Sequence, residues 1–169
     1  MKLGEGVEVA IHCAAGLAGL AEGATMPAAA LARYNGVSAS YLLKHLAKLV
    51  EAGIFRSVPG PLGGYCLAKP PEAITLADIV LAIEGRQPAF RCNDIRRAAP
   101  MPLPDDAYLM PCGIKVAMLK AEKAYRAALA EVRLSDIMTD YVTNADPRIV
   151  ARGCAFIEAN QRRRISPDR

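Results

Sequence analysis

Two cysteines in a proline-rich stretch, and a carboxylate and an imidazole near the amino terminus, are the side chains of this 169-residue chain best suited to metal or redox chemistry. Cys92 and Cys112 are separated by nineteen residues, Asn93 to Pro111, that contain no further cysteine. Glu8 and His12 stand four apart. On a helix such a pair has its Cβ atoms about 6 Å from one another, so an oxygen and a nitrogen can be presented to one centre. Two thiolates, one imidazole and one carboxylate are four donors, a set that a mononuclear zinc or an iron–sulfur cluster accepts. The same residues permit blander readings: a thiol pair that oxidises to a disulfide, two small apolar fillers, and a solvated Glu/His pair. Cys13, Cys66 and Cys154 read as structural.

Other chemistry is poorly provided for. The chain has two histidines, and it shows no Ser/His/Asp set, nucleotide-binding loop or H-E-x-x-H sequence, so no enzyme is expected. Five cysteines at irregular spacing do not make a disulfide framework. Glu5, Glu8 and His12 interrupt the first apolar segment, so no secretion signal is expected, and no run approaches the roughly 20 apolar residues of a membrane helix. A cytoplasmic protein without a membrane partner is expected. The net charge of +4 and pI near 8.9 are unremarkable. The local balance says more: Arg33, Lys44, Lys48, Arg56 and Lys69 face the single acid Glu51 between positions 33 and 69, the asymmetry of a phosphate-facing surface.

The elements that must carry these groups are mostly helical, since 53% of residues are hydrophobic but only 5% aromatic, and Trp is absent. Apolar spacing predicts a helix over 6–20, with Glu8 and His12 on one face. Pro27 opens a short helix to Tyr34, Asn35-Gly36 turns the chain, and Ser38 or Ser40 caps a second helix that stops at Gly53. In that helix Leu42, Leu46, Leu49 and Val50 face the core, while Ser40, Tyr41, Lys44, His45 and Lys48 are expected outward, as in a helix that reads a DNA groove. His45, between Lys44 and Lys48, suits DNA contact better than metal. Two short strands around Pro59-Gly60-Pro61-Leu62-Gly63-Gly64 form a β-hairpin, which directly after a helix-turn-helix is a wing. Thr75 caps a helix to Glu84.

The expected architecture is mainly α: a winged helix-turn-helix with a hairpin wing over 1–85, a cysteine-containing sensor loop over 86–112, and a dimerisation helix with a short terminal element over 113–139. Ile114, Met118, Ala121, Tyr125, Ala128 and Val132 give that long helix its apolar stripe. Residues 140–169, including Arg162-Arg163-Arg164, are expected to be a solvated, weakly ordered tail.

The order of these elements, with Lys2-Leu3, Val37-Ser38-Ala39-Ser40-Tyr41-Leu42, the Arg56-to-Tyr65 wing, Ile74-Thr75-Leu76-Ala77-Asp78-Ile79-Val80 and Glu84-Gly85, resembles the Rrf-two family of bacterial winged-helix regulators, the IscR-, NsrR- and RirA-like proteins. The resemblance runs from residue 1 to about 139. It implies a homodimer on palindromic double-stranded DNA, read by Ser38, Ser40, Tyr41, Lys44, His45, Lys48, Arg56, Gly60, Pro61 and Gly63. Many family members use three closely spaced cysteines, which this chain lacks. Arg91-Cys92-Asn93-Asp94-Ile95-Arg96-Arg97 and Pro111-Cys112-Gly113-Ile114, with Glu8 and His12, instead resemble the redox-sensing branch typified by RsrR. That likeness implies a two-iron two-sulfur (2Fe-2S) cluster on Glu8, His12, Cys92 and Cys112, and a redox-sensing regulator. Val9 departs from it, standing where that branch often has a bulky aromatic. The competing readings are a cluster-free or zinc-binding regulator of the same fold, responding to thiol oxidation or a small metabolite, and a winged-helix module that binds proteins.

Overall fold

The computed structural model describes residues 3–98, 100–101 and 103–163. The chain forms α1 (Glu5–Ala18), β1 (Ala24–Thr25), α2 (Ala28–Tyr34), α3 (Ala39–Glu51), β2 (Phe55–Val58), β3 (Gly64–Leu67), α4 (Leu76–Glu84), α5 (Gly113–Glu131), α6 (Leu134–Asn144), α7 (Pro147–Asn160) and β4 (Arg162–Arg163). Single 3-10 turns occupy Pro71–Ala73, Ile95–Ala98 and Asp105–Tyr108.

Local chemistry explains the boundaries. Ser38 caps α3 by accepting from the Tyr41 amide at 3.2 Å. Thr75 and Asp78 form a reciprocal capping box at the start of α4. Asp146 caps α7, and Pro147 occupies its first turn, where a missing N–H is harmless. The apolar faces meet in one core. Val7, Ala10, Cys13, Ala14 and Leu17 of α1 pack with Leu31, with Leu42, Leu46 and Leu49 of α3, with Ile54 and Phe55, with Ile79 and Ile83 of α4, and with Leu134.

The wing is an antiparallel β2–β3 hairpin with Phe55 opposite Leu67 and Val58 opposite Gly64. Close to its turn the hairpin is tied to the chain just after β1, because Met26 and Tyr65 exchange both backbone hydrogen bonds, at 2.9 and 2.8 Å. The turn is tight enough that a Cβ at Gly63 would collide with the Val58 carbonyl.

The carboxyl-terminal region departs from the sequence expectation. Instead of a weakly ordered tail from 140 onward, α6 continues to Asn144, α7 follows, and Arg162 and Arg163 pair as β4 with Thr25 and Ala24 of β1. Phe156 stacks on Tyr34 with ring centroids 4.7 Å apart, and Phe156 and Ile157 both pack against the main core. These apolar contacts order a segment whose charged end reads as solvated. Arg164 lies outside the described residues.

Helix α5 is fastened through Glu122 and Arg126. The buried Glu122 carboxylate, 9% exposed, accepts from the Ala89 amide at 3.0 Å and pairs with Arg126 at 2.6 Å, while Arg126 donates to the carbonyls of Arg86 and Gln87. Its amino-terminal half exposes Ile114 (66%), Val116 and Met118 (44%).

Candidate nucleic-acid interface and cysteine centre

The amino-terminal turn of α3 presents Ser38, Ser40 and Lys44 to solvent, with Tyr41 half-buried beside them. Arg56 is exposed on β2, and Gly60 and Pro61 are exposed at the tip of the wing, while Gly63 is buried within its turn. A capped helix start, a cation and a hairpin therefore lie on the fragment that composition marks as phosphate-facing.

Of the residues expected outward on α3, His45 is engaged inward, whereas Lys48 stays exposed while tying α3 to α4. Lys48 donates from Nζ to the Ile83 carbonyl at 2.6 Å, joining the end of α3 to the end of α4. His45 is turned toward α1: its Nδ1 and Nε2 are buried and have no partner among the described residues, and a Cβ at Gly6 would collide with the imidazole. Tyr41 meets the ring edge-on at a centroid distance of 4.7 Å. Burial, reinforced by the positive charge of Lys48 and Lys44 and opposed by Glu84, holds the His45 imidazole below the usual histidine range. Helical periodicity alone could not reveal this, because the opening that admits the ring is made by a glycine on another helix.

In the loop after α4, Cys92 and Cys112 come together. Cys112 immediately precedes α5, and the amides of Lys115 and Ile114 on the first turn lower its thiol below the usual cysteine range, with Arg96 and a hydrogen bond from Cys92 adding to the effect. Cys92 accepts from the Asp94 amide at 3.4 Å. Arg96 lies close enough to both sulfurs to feel their charge and is itself held by Asp94 and by the Met110 carbonyl at 3.2 Å. Tyr108 completes the support, hydrogen-bonding the Arg96 carbonyl with the Arg97 guanidinium 4.6 Å above its ring. Sequence reasoning missed the roles of Asp94, Arg96 and Tyr108. The local signal was Asp94 two residues before Arg96, and Asp94 takes a left-handed conformation, φ 46°, which Asp tolerates better than most residues.

Glu8 and His12 are both exposed on α1, and among the described residues no group of three or more His, Cys, Asp or Glu side chains could hold a metal ion. One chain thus brings the two cysteines together but does not bring them to Glu8 and His12. Of the remaining thiols, Cys13 is buried, takes a hydrogen bond from Asn35 and is pushed up to about 12 by burial. Cys66 is half-buried on β3. Cys154 is exposed on α7.

Helices around one apolar core, a capped second helix of a helix-turn-helix and a hairpin directly behind it define a winged-helix protein. Solved structures share this architecture. The chain superposes on T. potens IscR with a TM-score of 0.63 at 24% identity, covering 89% of this chain and 96% of that one. With the B. subtilis cysteine regulator CymR the TM-score is 0.61 at 22% identity, covering 82% and 97%. The sequence profile of Rrf2, described as an iron-dependent transcriptional regulator, matches residues 3–140. The chain belongs to the Rrf2 family of transcriptional regulators. It is 44% identical over 95 residues to a Lactococcus lactis protein named as an HTH-type transcriptional regulator, YffB, covering 56% of this chain and 61% of that protein. To IscR of Photorhabdus laumondii it is 33% identical over 87 residues, covering 52% and 48%. The chain therefore spans about half the length of the curated relatives it matches. Among the described residues no helix is long and apolar enough to cross a membrane.

Proposed function

We propose that the chain is a cytoplasmic, homodimeric, DNA-binding transcriptional regulator that senses redox state through a 2Fe-2S cluster held by Glu8, His12, Cys92 and Cys112. The observation that carries this reading is the meeting of Cys92 and Cys112, far apart in sequence, at the amino terminus of α5 beside Arg96. Backbone amides and a guanidinium favour the thiolate of Cys112, the form in which cysteine binds metal. The donor set fits only across two copies: each chain offers a sulfur pair and, separately, an exposed oxygen/nitrogen pair on α1. The bare apolar half of α5 is the surface on which a second copy would seat. Bound there, the cluster would supply a one-electron couple, and His and Glu in place of thiolates make it less negative and raise its potential.

The chain's own residues supply the route to DNA. Because Gly6 of α1 receives the His45 ring of α3, a displacement of the helix bearing Glu8 and His12 pushes directly on the recognition helix. Ser38, Ser40, Tyr41, Lys44 and Arg56 contact the duplex, Gly60 and Pro61 bring the wing to its backbone, and Gly63 permits the turn. His45 holds α3 in place from behind, and Lys48, exposed on the same helix, adds a cation to the duplex-facing set. A palindromic operator follows from two-fold symmetry.

A second reading is favoured by the same sulfur pair: with only two donors of one chain together, a dithiol that oxidises to a disulfide, or a zinc site, uses them without a cluster. Anaerobic purification with iron and sulfide analysis, repeated on Glu8→Ala, His12→Ala, Cys92→Ala and Cys112→Ala, separates the readings. Equal iron and sulfide per subunit, lost or spectrally altered in all four variants, is the expected result. Iron-free protein unchanged in the Glu8 and His12 variants would overturn the cluster and leave the dithiol or zinc.

A further inference from the structure

The family match ends at residue 140, whereas the folded chain continues through α7 to β4. This extra segment returns to the wing. Arg162 stands opposite Thr25 in the β4–β1 pair, and both side chains reach the wing turn. Thr25 Oγ1 donates to the Leu62 carbonyl at 3.0 Å, and Arg162 Nη1 donates to the Pro61 carbonyl at 2.8 Å and to that of Gly63 at 3.4 Å. Three successive carbonyls of a turn made of glycine, proline and leucine are thereby held from one side. The segment is itself anchored. Asn160 accepts from Arg33, Gln161 accepts from the Ala21 amide at 3.1 Å, and the Arg33 guanidinium lies 5.4 Å from the centre of the Phe156 ring.

The clamp leaves charge unanswered. Carbonyls are neutral acceptors, so the Arg162 guanidinium keeps its full positive charge, and its Nη2 and Nε have no partner among the described residues. Arg162, Arg163 and Arg56 are all exposed, and none is paired with a carboxylate among the described residues. A planar cation fixed against the tip of a wing, with donors to spare, matches the bidentate geometry of a phosphodiester.

We propose that Arg162 is a DNA-backbone contact supplied by the carboxyl-terminal segment: it locks the wing turn through the Pro61 and Gly63 carbonyls and offers its remaining donors to a phosphate beside the wing. The proposal rests on the reading of the chain as a DNA-binding regulator. A duplex selected from a random pool by the unaltered full-length protein is the probe, and its binding is followed by fluorescence anisotropy across a range of KCl concentrations. Arg162→Ala is expected to weaken binding roughly 3- to 10-fold at low salt and to make the slope of log affinity against log salt shallower by about 1 per protomer. Arg162→Lys should restore the slope. Hydrogen exchange at the Gly63 and Gly64 amides should quicken in Arg162→Ala. If affinity falls in Arg162→Ala with the slope unchanged, or if neither changes, the phosphate contact is overturned. A full-length protein that selects no duplex would overturn the regulator reading itself, and this inference with it.

Discussion

His45 shows how one side chain can be placed by a residue it never neighbours in sequence. Its nitrogens are buried without partners among the described residues because Gly6 lacks a Cβ, and the consequence is a pH dependence with a definite sign. The folded-state value is depressed, so around neutral pH the ring is uncharged in both states and adds no pH dependence. As pH falls below the ordinary histidine value of about 6.5, the unfolded chain takes up the proton first, and stability declines until pH passes the lower folded value. Urea unfolding between pH 7.5 and 5 should therefore show a loss of stability on acidification that His45→Leu diminishes. An unchanged slope in that variant would place the titrating group elsewhere. At the same scale the cysteines divide by environment: burial raises the Cys13 thiol, whereas the amides of the helix amino terminus and Arg96 hold the Cys112 thiol below the usual cysteine range.

At the scale of elements, α5 is a helix with two different halves. Its carboxyl half is bound to the winged unit by Glu122 and Arg126, which together take up the amide of Ala89 and the carbonyls of Arg86 and Gln87 just beyond α4. Removal of Arg126 would strand a buried carboxylate, so Arg126→Ala should destabilise the protein by about 2 kcal/mol and speed hydrogen exchange at Ala89. If the chemical midpoint stays fixed, the clamp contributes nothing. α7 is an element of another kind, set down on α2 by an aromatic contact between Tyr34 and Phe156 and continued into the strand that reaches the wing.

Across the whole molecule, exposed apolar side chains concentrate in one region. Ile95, Met101, Leu103, Leu109 and Met110 of the cysteine loop join Ile114, Val116 and Met118 of α5, each at least 44% exposed. Patches of this kind on small proteins mark interfaces. A second copy seated there would cover the stripe and approach the cysteine pair. Met118→Asp should accordingly shift the protein to a monomer by light scattering and lower its affinity for duplex DNA. A variant that stays dimeric would move the interface off α5.

Much of this was legible in one dimension. Periodicity, the Ser38 and Thr75 caps and the glycine/proline turn determine the helix-turn-helix and its wing, because these signals act within a few residues and need no partner. The sequence also singled out Cys92 and Cys112 by type and position, but not that they meet, since their approach depends on the Asp94–Arg96–Tyr108 support that folds the loop between them. Tertiary structure alone decided that His45 turns inward, where a glycine on α1 receives it, and that the exposed Lys48 ties the end of α3 to a carbonyl at the end of α4. It likewise decided that the chain through Arg162 and Arg163 is no loose tail. A run of like charge reads as solvated wherever it occurs, and only the unpaired edge of β1, the ring of Tyr34 and the carbonyls of the wing turn, all more than 95 residues earlier, give that end somewhere to bind.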